Sequence, residues 1–172
     1  MKFLLSAFFI CVAASLSFGQ GRASLGAEVG FPTGSNTEGV GTAFGGSFRN
    51  EAPTKNDKLN WLASVGYLSF PVSDNISGYS LSGHLNFMSI LLGMKYYPQG
   101  GFNGFYFGTD AGLAAISAKV TVSGIGSGSA SDNKFQLSPG LGYHFKGADL
   151  GFKYNIVSDA NFITIRLAVV FK

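Results

Sequence analysis

Two histidines, His84 and His144, are the side chains of this sequence best suited to proton transfer, and Ser82 stands two positions before His84. On an extended strand that spacing puts both side chains on one face. A hydroxyl nucleophile activated by a neighbouring imidazole would need that placement. No acidic residue is positioned to orient His84, and Ser82 lies in a stretch of turn-forming residues. His144 sits beside Lys146 at the end of an apolar segment, where a solvated imidazole is ordinary. Two separated histidines without clustered carboxylates give no ligand set for a metal. The only cysteine, Cys11, lies in an apolar N-terminal run, so thiolate sites are excluded from the rest of the chain. No catalytic residue, metal site or cofactor is expected. The glycine-rich "GIGSGSASDN" is no phosphate loop, because it does not lead from a strand into a helix and carries no GK[ST].

Four other ionisable residues raise a different question. Arg166 interrupts the apolar run "FITIRLAVVFK", Glu28 interrupts "RASLGAEVGF", Lys153 lies within "DLGFKYNIV", and Asp110 lies within "FYFGTDAGLAAIS". A charge inside an apolar strand is costly unless that face is wet or paired. Their chemistry is therefore expected to be mutual: a cluster of Glu28, Arg166, Lys153 and Asp110 on one shared face, serving as a structural plug or, in a second reading, a gate.

The elements that must hold such a cluster follow from the pattern of the chain. Residues 1–19, "MKFLLSAFFICVAASLSFG", read as a cleaved secretory signal: Lys2, an apolar core, and small residues at Ser17 and Gly19. Residues 20–172 form the remaining domain. The full sequence has 172 residues, with 25 Gly, 17 Phe and only 12% charged residues, about half the usual share of a soluble domain. The formal charge of +3 is spread along the chain, which leaves no nucleic-acid footprint.

After residue 19 the sequence falls into segments of about ten residues that alternate with period two. Leu25, Ala27 and Val29 oppose Ser24, Gly26 and Glu28. Trp61, Ala63, Val65 and Tyr67 oppose Asn60, Leu62, Ser64 and Gly66. Met88, Ile90, Leu92, Met94 and Tyr96 oppose Ser89, Gly93 and Lys95. Phe105, Phe107 and Leu113 oppose Tyr106, Asp110 and Gly112, and Ile163, Ile165 and Leu167 oppose Thr164, Arg166 and Ala168. Eight such strands, with "NEAPTKNDK" and the stretches 33–38, 71–83 and 118–134 as connections, predict an all-β, antiparallel, up-and-down barrel.

One face of these strands is large and apolar, and the other is small, polar and sparsely charged. The small face holds too many glycines to coat a soluble protein, but it suits a narrow interior. Segments of 9–11 residues match a tilted crossing of a bilayer, and only a closed barrel leaves no unpaired strand edge in hydrocarbon. The aromatics Trp61, Tyr67, Tyr96 and Phe171, with Phe31, Phe48, Phe105 and Phe135, stand near segment ends as interface residues.

The signal ending "SFGQ", the eight alternating segments, "GTDAGLA", "PGLGY" and the terminal "IRLAVVF" together resemble the outer-membrane β-barrel proteins. More narrowly, they resemble the small OmpA/OmpX-like "porin family" proteins of Gram-negative bacteria, of Bacteroidetes type. The resemblance implies an integral outer-membrane barrel with a structural or surface-interaction role, in contact with outer-membrane lipid. It implies recognition of the C-terminal strand by the barrel assembly machinery, to which Phe171 fits and the following Lys172 does not. A monomer without nucleic-acid partners is expected. The other readings are a narrow low-conductance channel, a lipid-modifying enzyme, and a soluble barrel for a lipophilic ligand.

Overall fold

The computed structural model describes residues 21–34, 37, 39–76, 79–124, 126–158 and 160–171. The segment expected to be a signal peptide and Lys172 lie outside them. Eight strands follow one another: β1 (Arg22–Pro32), β2 (Ala43–Pro53), β3 (Leu59–Ile76), β4 (Tyr79–Tyr96), β5 (Gly104–Val122), β6 (Gly126–Phe145), β7 (Ala148–Val157) and β8 (Phe162–Phe171). Each pairs antiparallel with its neighbours, and β1 pairs with β8 to close the barrel. In that closing ladder Glu28 stands directly opposite Arg166.

The alternation decides which way each side chain points. Leu25, Phe44, Trp61, Leu92, Leu113, Phe135 and Leu167, from seven different strands, are each 58–68% exposed on the outside. Arg166 and Asp110, on the inside, are 1% exposed. A chain that buries its charges and displays its leucines is built for an apolar surrounding.

One end of the barrel carries β1's start, β8's end and short turns. Among these is the two-residue Lys146-Gly147 link between β6 and β7, where Gly147 adopts φ 81°. The other end carries longer hairpins. β3 and β4 run 18 residues each, β5 19 and β6 20. The stretches 71–83 and 118–134, expected as connections, are therefore mostly strand: pairing runs on to Asp74↔Leu81 and to Val122↔Gly126. Outside an apolar layer a ladder needs only backbone hydrogen bonds. Gly- and Ser-rich sequence can thus be strand without showing any alternation of hydrophobicity.

β2 also differs from expectation. It continues through Arg49, which no segment included, and on to Pro53, through the start of "NEAPTKNDK", expected as a polar connection. Phe48 consequently lies mid-strand, opposite Leu25 and Val65, and not at a strand end.

The interior is layered. Below, toward the short turns, it is charged. Near the long hairpins it is apolar, with Phe70, Phe87 and Phe162 packed at centroid distances of 5.1–5.4 Å among Ala43, Leu68, Ala114 and Val157. This aromatic layer departs from the uniformly small and polar interior expected from sequence. The three rings occupy inward positions that no assigned face included.

Candidate functional site, the charged barrel interior

Arg166 is the centre of the interior. β8 places it inward between Ile165 and Leu167, and its guanidinium donates to Ser47 Oγ at 2.8 Å, Ser24 Oγ at 3.0 Å and Asp149 Oδ1 at 3.2 Å. Its Nε lies 3.6 Å from Glu28 Oε1. The space for it comes from β1: a Cβ at Gly26 would lie 2.8 Å from Arg166 Nε and 2.7 Å from Ala168 Cβ. A methyl group there would displace the guanidinium.

Around this hub the charges pair. Glu28 Oε1 accepts from Arg49 at 2.9 Å and from Ser47 Oγ at 2.5 Å. Lys95 bridges Glu51 and Asp149, each at 3.0 Å, and its ammonium stands 4.0 Å from the Tyr106 ring centroid. Tyr106 donates to Asp149 at 3.1 Å. Lys153 donates to Asp110, which also accepts from Ser64 at 3.3 Å. Above these, Gln136, Ser138, Asn155 and Thr164 form a neutral hydrogen-bonded layer beneath the aromatic one.

Four cations (Arg49, Lys95, Lys153, Arg166) thus face four carboxylates (Glu28, Glu51, Asp110, Asp149). The interior is neutral and its charges are paired. Buried pairs of this kind add little net stability over apolar residues, but removal of one partner leaves an uncompensated charge and costs several kcal/mol.

Of the four residues assigned to a shared cluster, the fold brings Arg166 beside Glu28 and Lys153 beside Asp110, as two pairs on the same inner surface. Sequence reasoning left out Arg49, Glu51, Lys95, Asp149 and Tyr106. For Lys95, Tyr106 and Asp149 the signal was present: each shares the parity of the small face of its strand. Arg49 and Glu51 were missed because β2 was ended too early.

The aromatic residues singled out from sequence all lie on the outer surface. Trp61, Tyr96 and Phe171 are there at 58%, 43% and 47% exposure, toward the short turns. Tyr67, at 49%, donates its hydroxyl to Asn86 at 3.0 Å toward the long hairpins.

Neither histidine has the setting of a catalytic base. His84 is exposed and, among the described residues, its side chain forms no hydrogen bond or ion pair. His144 corrects the expectation of a solvated imidazole. It points inward, is 2% exposed, and neither ring nitrogen has a partner. Among the described residues no three His, Cys, Asp or Glu side chains group closely enough to hold a metal.

Little empty space remains inside. A cavity of about 30 Å³ lies among Glu28, Arg49, Ser64, Lys153 and Asn155, and another of about 10 Å³ lies beside Lys95 and Tyr106. Each holds a water or so and neither forms a passage.

No protein-family model and no curated protein matches the sequence. Solved structures do match the fold. The attachment invasion locus protein Ail of Yersinia pestis, in complex with the heparin analogue sucrose octasulfate, aligns with TM-score 0.60 at 15% identity, over 88% of this chain and 99% of that one. The N-terminal β-barrel domain of Pseudomonas aeruginosa OprF aligns with TM-score 0.55 at 15% identity, over 88% and 98%. A major outer membrane protein of Thermus thermophilus aligns with TM-score 0.53 at 15% identity, over 88% and 99%. The chain therefore has the fold of the small eight-stranded outer-membrane β-barrels.

Proposed function

We propose that this protein is an integral barrel of the Gram-negative outer membrane, secreted through a cleaved signal peptide, with a structural and surface-contact role. The observation that carries this reading is the inversion of its surfaces: leucine, phenylalanine and tryptophan outside, and four paired cations and carboxylates inside. Lipid would cover the outer face, with Trp61, Tyr96 and Phe171 at one interface and Tyr67 nearer the other. The short turns then face the periplasm and the long hairpins the outside. The interior supports a plug and not a channel or an enzyme, since its charges pair with one another and its cavities have room for little more than a water each.

The contact role rests on the long hairpins. β3 to β6 continue past the barrel as a four-stranded sheet, and β7 joins β6 only from Gln136 onward. The stretch 126–131 of β6 is thus an open edge of small, exposed residues whose outward backbone groups can pair with an extended segment.

Fractionation of cells producing the chain tests the membrane reading. The protein is expected in the membrane pellet, released by detergent, and to migrate faster on gels before heating than after. Recovery in the detergent-free soluble fraction would overturn it.

A further inference from the structure

The largest hollow described lies outside the ion network, at the short-turn end. Its volume is about 340 Å³, enough for a phosphate group with several waters, and Arg22, Asn103, His144, Lys146 and Phe171 line it. No acidic residue does. Arg22 enters from the start of β1, and its guanidinium lies 4.5 Å from the Phe102 ring centroid, a contact that positions the charge without neutralising it. Lys146 belongs to the tight turn after β6, which is held against β8 by the hydrogen bond from Val170 N–H to Gly147 C=O at 2.9 Å. Among the described residues Lys146 has no ion-pair partner.

His144 lines the hollow from the end of β6. Both of its ring nitrogens lack a hydrogen-bond partner and are covered, so the ring walls the hollow, and a bound anion would engage it only if the ring turned. Its neighbour across the ladder, Asp149, is already engaged by Lys95, Arg166 and Tyr106. Two cations without an ion-pair partner among the described residues, Arg22 and Lys146, beside the Asn103 amide, suit an anion with several oxygens. A metal ion would be repelled.

The level of the hollow identifies the source of that anion. Phe145 and Phe171 stand at this end with their rings on the outer surface, and Phe171 also lines the hollow, which puts it at the level where headgroups would begin. We propose that it binds the phosphate of a phospholipid headgroup in the leaflet around the short turns. The lipid assignment rests on the membrane reading above, whereas the phosphate site does not.

The test uses the full chain in dodecyl maltoside, which carries no phosphate, with dihexanoyl phosphatidylglycerol and inorganic phosphate as separate probes. Native mass spectrometry counts bound lipid, and the His144 imidazole resonances report occupancy. The lipid is expected to bind and to shift His144. Arg22→Gln/Lys146→Gln is expected to weaken binding about tenfold or more, the loss of charge-assisted hydrogen bonds. Lys55→Gln/Lys58→Gln, which removes the same charge from an exposed turn at the same end, is expected to leave it unchanged. Equal weakening by the two double variants, or no binding of either probe, would overturn the site. Equal binding of inorganic phosphate would overturn the lipid assignment and keep the phosphate site. If the chain proves soluble without detergent, titration with inorganic phosphate still reads the site independently.

Discussion

Replacing Arg166 by methionine keeps most of the side-chain volume and removes the guanidinium from the centre of the barrel. The change deletes hydrogen bonds to Ser47, Ser24 and Asp149 and the close approach to Glu28. It leaves three cations facing four carboxylates. Glu28 retains Arg49 and Asp149 retains Lys95, so neither is orphaned. The cost is the unbalanced charge together with a Ser24 hydroxyl left without its partner, about 3–5 kcal/mol by the usual penalty for breaking a buried pair. Urea unfolding of the refolded protein in phospholipid vesicles measures it, with Trp61 as the reporter. It is the only tryptophan of the sequence and its ring lies on the outer face. Glu28→Gln alone should also destabilise. The double variant Arg166→Met/Glu28→Gln restores three charges of each sign, and its loss should fall short of the sum of the singles by about 1–3 kcal/mol. A loss under about 1 kcal/mol for Arg166→Met, or strict additivity in the double variant, would refute the balanced-interior argument.

Gly26→Ala should destabilise by about 1–3 kcal/mol in the same assay, because its methyl group would meet the Arg166 guanidinium and Ala168; a neutral result would mean that the guanidinium can move aside. Phe87→Ala removes one of the three rings that pack together above the polar layers and should cost about 3–5 kcal/mol. Replacing residues 118–130 with Asn-Gly retains the β5–β6 pairing up to Ser117↔Ser131, so the barrel should still fold and shift on gels with heating. In planar bilayers the wild-type protein should give no resolved conductance steps; regular steps would contradict a filled interior.

Much of this was legible in the chain. Period-two alternation located all eight strands, because a strand with one face in an apolar medium must sort its residues by polarity. The inward direction of Arg166 was readable from Ile165 and Leu167 on either side. The same logic failed where the medium changes. Beyond the apolar layer "GSGSASDN" is as much strand as "FQLSPGLG", yet nothing in its composition alternates. Near the long hairpins Phe70, Phe87 and Phe162 turn inward, so both faces are apolar and alternation cannot distinguish them. The wider charge network was hidden for a different reason. Which cation meets which carboxylate depends on register across strands far apart in sequence, as with Lys95 and Asp149.

The facing of Glu28 and Arg166 across the β1–β8 ladder also bears on how the barrel is made. These strands are the two ends of the domain, so their pairing is the one contact that no short turn can set. An offset of one residue there would turn every side chain of the slipped strand to the opposite surface, carrying Arg166 into lipid and Leu167 among the carboxylates. An offset of two would keep the facing but pull the guanidinium away from the space above Gly26. The ion network thus acts as a proofreader of closure, making the correctly aligned ring the one that can be sealed without stranding a charge.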